Sequence, residues 1–106
     1  MKTLIKNGII YDGTLETPPY TGDLLIFNDR IQAVAPHIND VDAYVIDAGG
    51  RVISPGFIDI HRHADLAVFS DDFGSIELAQ GLTTVGMGVC GFSFAPYTQY
   101  SEGLYP

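Results

Sequence analysis

The sequence is poor in cysteine and in basic residues, and each shortage excludes a class of protein. Cys90 is the single cysteine, so no disulfide forms within the chain, and we expect a reducing compartment, the cytoplasm. Only 5 lysines and arginines oppose 13 acidic residues, which gives a formal net charge of -8. Because nucleic-acid binders depend on clustered Lys and Arg, a nucleic-acid partner is not expected.

Long apolar runs are missing as well. No stretch of about 18 apolar residues occurs, so neither a membrane span nor a membrane partner is expected. Lys6 and Asn7 interrupt the N-terminal stretch where a signal peptide needs unbroken apolar residues. Hydrophobic residues still make up 46% of the composition, which is typical of a globular domain. The length of 106 residues is well below the ~250 residues of an ordinary (β/α)8 barrel.

Residues 1–54 predict short β-strands joined by turns. The dipeptide Asn7-Gly8 tolerates the positive φ angles of a tight hairpin, so the residues on its two sides are predicted to pair. Further strands are predicted over 23–27, 30–34, 43–46 and 51–53, with turns at Asn28-Asp29 and Gly49-Gly50. Many short strands with frequent turns favour a small β-sandwich or half of a barrel.

The chain changes character at Pro55-Gly56, so we predict two domains, 1–54 and 55–106. The elements predicted after the boundary are a strand over 57–63, a helix over 75–80 capped by Gly81, and a buried strand over 82–90. Strand, helix and strand in this order predict a βαβ unit with parallel strands.

His61 and His63 stand two residues apart at the end of the first of these strands. Side chains alternate along a strand, so both imidazoles are predicted on one face, with Arg62 on the other. Two imidazoles at this spacing can bind one divalent cation, although a bare His-x-His is more often a core histidine beside a surface one. Asp59 shares their face, where it either orients the imidazoles or accepts a hydrogen bond at the strand end.

Cys90 ends the second predicted strand. Because neighbouring parallel strands bring their C-terminal ends together, Cys90 can approach the two histidines, and a thiolate is a good zinc ligand. The alternative is a small buried hydrophobic residue, but glycines 86, 88 and 91 leave room for a ligand and favour metal binding. Asp65 either reaches the mouth of this site or is a loop carboxylate at the start of a helix.

Three segments carry a resemblance to a known family: VISPGFIDIHRH (52–63), AQGLTTV (79–85) and GVCGFSFAP (88–96). The first resembles the opening barrel strand of the amidohydrolase superfamily. The cysteine after the second strand narrows the resemblance to the N-acyl-D-amino-acid deacylase (D-aminoacylase) branch. The Asn7-Gly8 segment and the turn at 47–51 are similar to the N-terminal β-sandwich segment of that superfamily.

The resemblance implies an α/β fold. A β-sandwich segment, part of a composite domain, would precede the first βαβ of a (β/α)8, TIM-like barrel that is incomplete in this chain. By position, His61 and His63 match the His-x-His metal ligands, and Cys90 matches the metal-binding cysteine. The implied cofactor is zinc, as one or two divalent ions, and the implied reaction is hydrolysis of a small-molecule, non-peptide amide by metal-activated water.

The sequence departs from the family pattern at two positions. Val89 stands where asparagine is expected, and Arg62 replaces a smaller polar residue. The general base and further histidines would come from later barrel strands, so we expect a fragment or truncated product that is inactive until the missing barrel segments complete it. Two alternatives remain, a dihydroorotase-like or hydantoinase-like cyclic amidase and a non-catalytic β module. Cys90 argues against the cyclic amidases, which lack a cysteine at this position.

Overall fold

The structure, a computed structural model, describes residues 1–93. The chain divides into two compact units, of which the first is Met1–Pro55 and the second begins at Gly56. Each unit contains its own β-sheet. Among the described residues, no helix is long and apolar enough to cross a membrane.

The first unit is one five-stranded sheet. Its strands are β1 (Lys2–Ile10), β2 (Tyr20–Phe27), β3 (Arg30–Ala35), β4 (Tyr44–Asp47) and β5 (Val52–Ile53). The order is β3-β2-β1-β4, and β5 also pairs with β1. Strand β1 is central because it runs antiparallel to β2 and parallel to β4 and β5. The buried apolar residues of this unit are Leu4, Ile10, Leu25 and Ala48.

The predicted hairpin at Asn7-Gly8 is wrong, because β1 runs through both residues as one strand. The pairing of β1 with β2 shifts between Ile5 and Gly8, and Asn7 adopts a φ of 58°. The Asn7 N–H donates to Asp23 Oδ1 at 2.9 Å, and its carbonyl accepts from the Gly50 N–H at 2.8 Å. The positive φ that Asn-Gly favours thus serves a β-bulge rather than a turn.

Asp23 in β2 is a buried carboxylate that sequence reasoning missed. Besides the Asn7 N–H, it accepts the Ile38 N–H through Oδ2 at 2.9 Å. Burial raises the pKa of Asp23, but the N–H groups of Ile38 and Asn7, with the charges of Lys6 and His37, outweigh burial and lower the pKa below its usual value. The ionised side chain therefore fastens both the bulge and the loop after β3 to β2.

The second unit contains a parallel strand pair. Its elements are β6 (Phe57–Asp59), a 3-10 helix (Ala67–Phe69), α1 (Ser75–Ala79) and β7 (Leu82–Val85). Strands β6 and β7 pair in parallel, which confirms the predicted strand–helix–strand order and direction. Gly81 follows α1 with a φ of 82°, and its N–H donates to the Leu78 carbonyl at 2.9 Å, as expected of a helix cap.

Both strands are shorter than predicted. Strand β6 ends at Asp59 instead of His63, and β7 ends at Val85 instead of Cys90. The two segments that follow these strands stay hydrogen-bonded to each other. The Gly86 N–H donates to the Asp59 carbonyl at 2.6 Å, and the Arg62 N–H donates to the Gly86 carbonyl at 3.2 Å. Glycines 86, 88 and 91 end the regular strand, and the last two adopt a φ of 83° that L side chains rarely adopt.

Within residues 56–93, the second unit covers few of its apolar residues. Ala64 is the one buried apolar residue among 56–93, whereas Phe57 and Ile58 of β6 are 60% and 65% exposed. The expectation of a buried strand over 82–90 is therefore wrong for this chain, and Cys90 is exposed. Parallel strands normally have both faces covered, so this pair lacks cover within the described residues.

Candidate metal centre

His61 and His63 follow β6 directly, and both are exposed. Their ring centroids lie 5.8 Å apart with an angle of 74° between the planes. The guanidinium of Arg62 forms an ion pair with Glu77 in α1 instead. The two imidazoles thus lie close together, as predicted, while the guanidinium of Arg62 contacts Glu77.

Cys90 reaches the same place from the loop after β7. Its Sγ lies 3.3 Å from His61 Nε2. Cys90 has a φ of 54° and stands between Gly88 and Gly91, both with a φ of 83°. A left-handed conformation at a residue other than glycine costs on the order of 1–3 kcal/mol and persists where surrounding contacts impose it. The loop thus holds the sulfur beside the imidazole in a backbone conformation that is unfavourable by itself.

The three side chains form a group of converging donor atoms. One ligand atom each from His61, His63 and Cys90 lies within 4.8 Å of the other two. In a tetrahedral zinc site, the bond lengths to nitrogen and sulfur place these donors about 3.5 Å apart. The distance between Cys90 and His61 is already close to that value, and two imidazole nitrogens with a sulfur are a donor set that suits zinc.

Asp59 and Asp65 lie outside this donor group. Asp59 Oδ1 accepts the backbone N–H of His61 at 3.1 Å, and Oδ2 lies 3.9 Å from Arg62 Nη1. The observed contact of Asp59 is thus that of a strand-end acceptor. Asp65 is buried, and its Oδ1 accepts the Gly88 N–H at 3.1 Å.

Sequence reasoning gave no role to two further residues, of which one pairs with Arg62 and the other contacts His63. Glu77 is buried, pairs with Arg62 and accepts the Gly74 N–H at 3.1 Å through Oε2. Glu77 supplies only the half of a capping box that returns to the N-cap N–H, because Gly74 has no side chain, so the sequence offered no complete capping-box signal. The ring of Phe92 lies 5.8 Å from that of His63, centroid to centroid, and both line a cavity of about 280 Å³ with Asp65 and Leu66.

Several curated proteins are similar to this chain in sequence. No family model matches the chain. The D-aminoacylase of Alcaligenes xylosoxydans xylosoxydans is 38% identical over 94 residues, which cover 88% of this chain and 19% of that enzyme. A D-hydantoinase of Geobacillus stearothermophilus is 40% identical over 96 residues, covering 85% of this chain and 20% of that protein. The 5-methylthioadenosine/S-adenosylhomocysteine deaminase of Thermococcus kodakarensis is 42% identical over 84 residues, with 76% and 19% covered.

Solved structures of two deacylases resemble the chain. A D-aminoacylase studied for its binuclear metal centre superposes with a TM-score of 0.79 at 36% identity, covering 90% of this chain and 20% of that one. The N-acyl-D-glutamate deacylase of Bordetella bronchiseptica, in complex with zinc and a phosphonate inhibitor, gives a TM-score of 0.73 at 36% identity, covering 89% and 20%.

The chain therefore belongs to the amidohydrolase superfamily. Within it, the chain corresponds to the N-terminal portion of the D-aminoacylases and N-acyl-D-glutamate deacylases, and its sheet-rich fold resembles their N-terminal domain. It spans about a fifth of the length of the relatives it matches, 19% of the D-aminoacylase of Alcaligenes xylosoxydans xylosoxydans. Residues 94–96 of the motif around Cys90 lie outside the described residues.

Proposed function

We propose that this chain is the N-terminal portion of a zinc-dependent enzyme that hydrolyses linear, non-peptide amides, as N-acyl-D-amino-acid deacylases do. The observation that carries the proposal is the convergence of His61, His63 and Cys90, whose ligand atoms all lie within 4.8 Å of one another. The similarity to D-aminoacylase over 88% of the chain supports it independently of that geometry.

In this proposal the three side chains bind one or two divalent ions. His61 and His63 each offer a neutral ring nitrogen, and Cys90 offers a thiolate whose charge offsets part of the charge of the cation. Bound zinc would polarise the amide carbonyl of a small-molecule substrate and lower the pKa of a water. Asp59 contributes by accepting the His61 backbone N–H, which fixes the direction in which the first imidazole leaves the strand.

The remainder of the enzyme would complete both units. We propose that residues 1–54 belong to a β-sandwich, and that residues 55–106 begin a (β/α)8, TIM-like barrel in which β6 and β7 are the first two strands. The exposure of Phe57 and Ile58 supports this, because later barrel elements would cover these side chains. The general base would come from those elements, and the free thiol of Cys90 supports a cytoplasmic location.

A cyclic amidase of the dihydroorotase or hydantoinase type is the second candidate. The observation in its favour is the D-hydantoinase match, at 40% identity over 85% of the chain. Cys90 favours the deacylase, because its sulfur lies beside His61 and offers a third ligand. The reaction of the complete enzyme with an N-acyl-D-amino acid and with a hydantoin separates the two candidates.

The test uses the complete enzyme with His61→Ala and Cys90→Ala. Each variant is expected to lose zinc and amide hydrolysis together, because the remaining donors hold the cation more weakly. His37→Ala is the matched control, since His37 lies in the first unit, outside the donor group. Full zinc content and full turnover in either ligand variant would contradict the assignment. If the enzyme without substitutions takes up no zinc, the alternative of a non-catalytic β module is supported instead.

A further inference from the structure

The loops that carry the donor group are joined by a buried carboxylate. Asp65 stands two residues after His63 and is only 5% exposed, in a unit whose described apolar residues are mostly open to solvent. Its Oδ1 accepts the N–H of Gly88, which stands two residues before Cys90, at 3.1 Å. One hydrogen bond thus links the histidine loop with the cysteine loop across 23 positions of sequence.

This hydrogen bond acts where the strands no longer hold the loops. The last backbone hydrogen bonds between the loops involve Gly86, which pairs with Asp59 and Arg62. Between Gly86 and Cys90 the chain turns through Gly88, whose φ of 83° suits glycine. A Cβ at Gly88 would come within 3.3 Å of Ser93 Oγ, so the loop is also closely packed there. Asp65 therefore fixes the backbone at the point from which Cys90 departs.

The carboxylate of Asp65 is costly for the fold in its present surroundings. Its Oδ2 is buried and has no hydrogen-bond partner among residues 1–93. A buried carboxylate with one donor contributes less to stability than it loses in hydration. Such a group is better explained by what it positions than by packing, and it lines the cavity beside His63 and Phe92.

We infer that Asp65 is a positioning residue that sets the place of the Cys90 sulfur relative to His61 and His63. The inference rests on the proposed metal site and adds a residue to it. Asp65 accepts the Gly88 N–H, this contact holds the cysteine loop in its left-handed conformation, and the sulfur stays 3.3 Å from His61 Nε2. Without the acceptor, the two imidazoles remain in place but the sulfur loses its fixed position.

The test titrates the chain with Co²⁺ in place of zinc. Two signals are followed, namely the visible bands of bound cobalt and the near-ultraviolet charge-transfer band from thiolate to cobalt. Asp65→Ala is expected to weaken cobalt binding about 10- to 100-fold, as the loss of groups that orient metal ligands commonly does. It is also expected to reduce the thiolate band for each cobalt bound. Asp65→Asn keeps an acceptor oxygen and should retain both signals, and Asp71→Ala, at an exposed aspartate, is the matched control.

The outcomes separate this inference from the proposed function. If the original chain binds no cobalt, the metal site itself is contradicted. If it binds cobalt and Asp65→Ala gives the same affinity and the same thiolate band, only the role of Asp65 is overturned. If Asp65→Ala fails to fold, hydrogen exchange of the Gly88 amide is measured instead. The inference requires this exchange to be slow in the unsubstituted chain and in Asp65→Asn. Exchange at the rate of an open loop in either protein would overturn it.

Discussion

Each unit of the chain buries one aspartate that binds backbone, and the two aspartates differ in how completely they are satisfied. In the first unit, both carboxylate oxygens of Asp23 accept an N–H, from Asn7 and from Ile38, each at 2.9 Å. In the second unit, Asp65 has one such partner in Gly88, and its other oxygen has none among the described residues. The first carboxylate completes a sheet, whereas the second links the two loops that carry the donor group.

The two units also differ in how many apolar residues they bury. Four of them are buried in the first unit, around the central strand β1, and Ala64 is the one buried apolar residue described in the second. Where the described residues form so little core, stability depends on other contributions, among which bound metals are common. We therefore expect zinc to act very differently on the two units.

The largest expected effect is the stabilisation of the second unit by zinc. At a free zinc concentration 1,000-fold above Kd, ligand binding to the folded form contributes about 4 kcal/mol. Hydrogen exchange of amides at 61–63 and 86–91 should slow accordingly, while amides of β1 and β2 should exchange unchanged. Magnesium is the control, because it prefers oxygen ligands and should protect neither unit.

Equal protection of both units by zinc would break the comparison, since it would mean that the cation acts on the whole chain. No protection in the second unit would remove the donor group of His61, His63 and Cys90 as a binding site. The experiment measures binding without turnover, so it applies to this chain by itself.

The next effect is the loss of Asp23. Asp23→Ala leaves the N–H groups of Asn7 and Ile38 without their acceptor, and hydrogen bonds to charged groups contribute about 1.5–3 kcal/mol each. We expect the free energy of unfolding of the first unit to fall by about 3 kcal/mol in a denaturant titration. Asp29→Ala, at an aspartate whose side chain is 82% exposed, should change it little. An equal loss in both variants would show that Asp23 does not organise the sheet.

The bulge at Asn7 shows why part of the fold could not be predicted. An Asn-Gly pair favours positive φ in a hairpin and in a bulge alike, so the local signal is the same. The choice depends on Asp23, which lies 16 positions away along the chain and binds the Asn7 N–H. A sequence pattern read over a few residues carries no information on such a partner.

The donor group could be predicted from two regular properties, alternation along a strand and the common direction of parallel strands. His61, His63 and Cys90 do converge, although both strands end before them and a loop with left-handed backbone carries the sulfur. The Asp65–Gly88 contact depends on neither property, since it joins a loop side chain to a loop amide. The three converging donors could thus be found from sequence, and the residue inferred to position the sulfur could not.

The smallest effect concerns the pH dependence of the first unit. The pKa of Asp23 is lower in the folded chain than in the unfolded chain, where it lies at about 3.9, because N–H donors stabilise its charged form. Its contribution to stability is therefore complete above the unfolded pKa and is lost as pH falls through the folded pKa, since the unfolded chain takes up the proton first. In the metal-free chain, the free energy of unfolding should decrease with falling pH below about 4.

Asp12, Asp40 and Asp47 also have lowered pKa values and contribute to this slope, so the difference between the unsubstituted chain and Asp23→Asn isolates the part due to Asp23. Because Asn cannot ionise, its curve should be flatter, and parallel curves for the two proteins would show that the charge of Asp23, as distinct from its oxygens, does not stabilise the bulge.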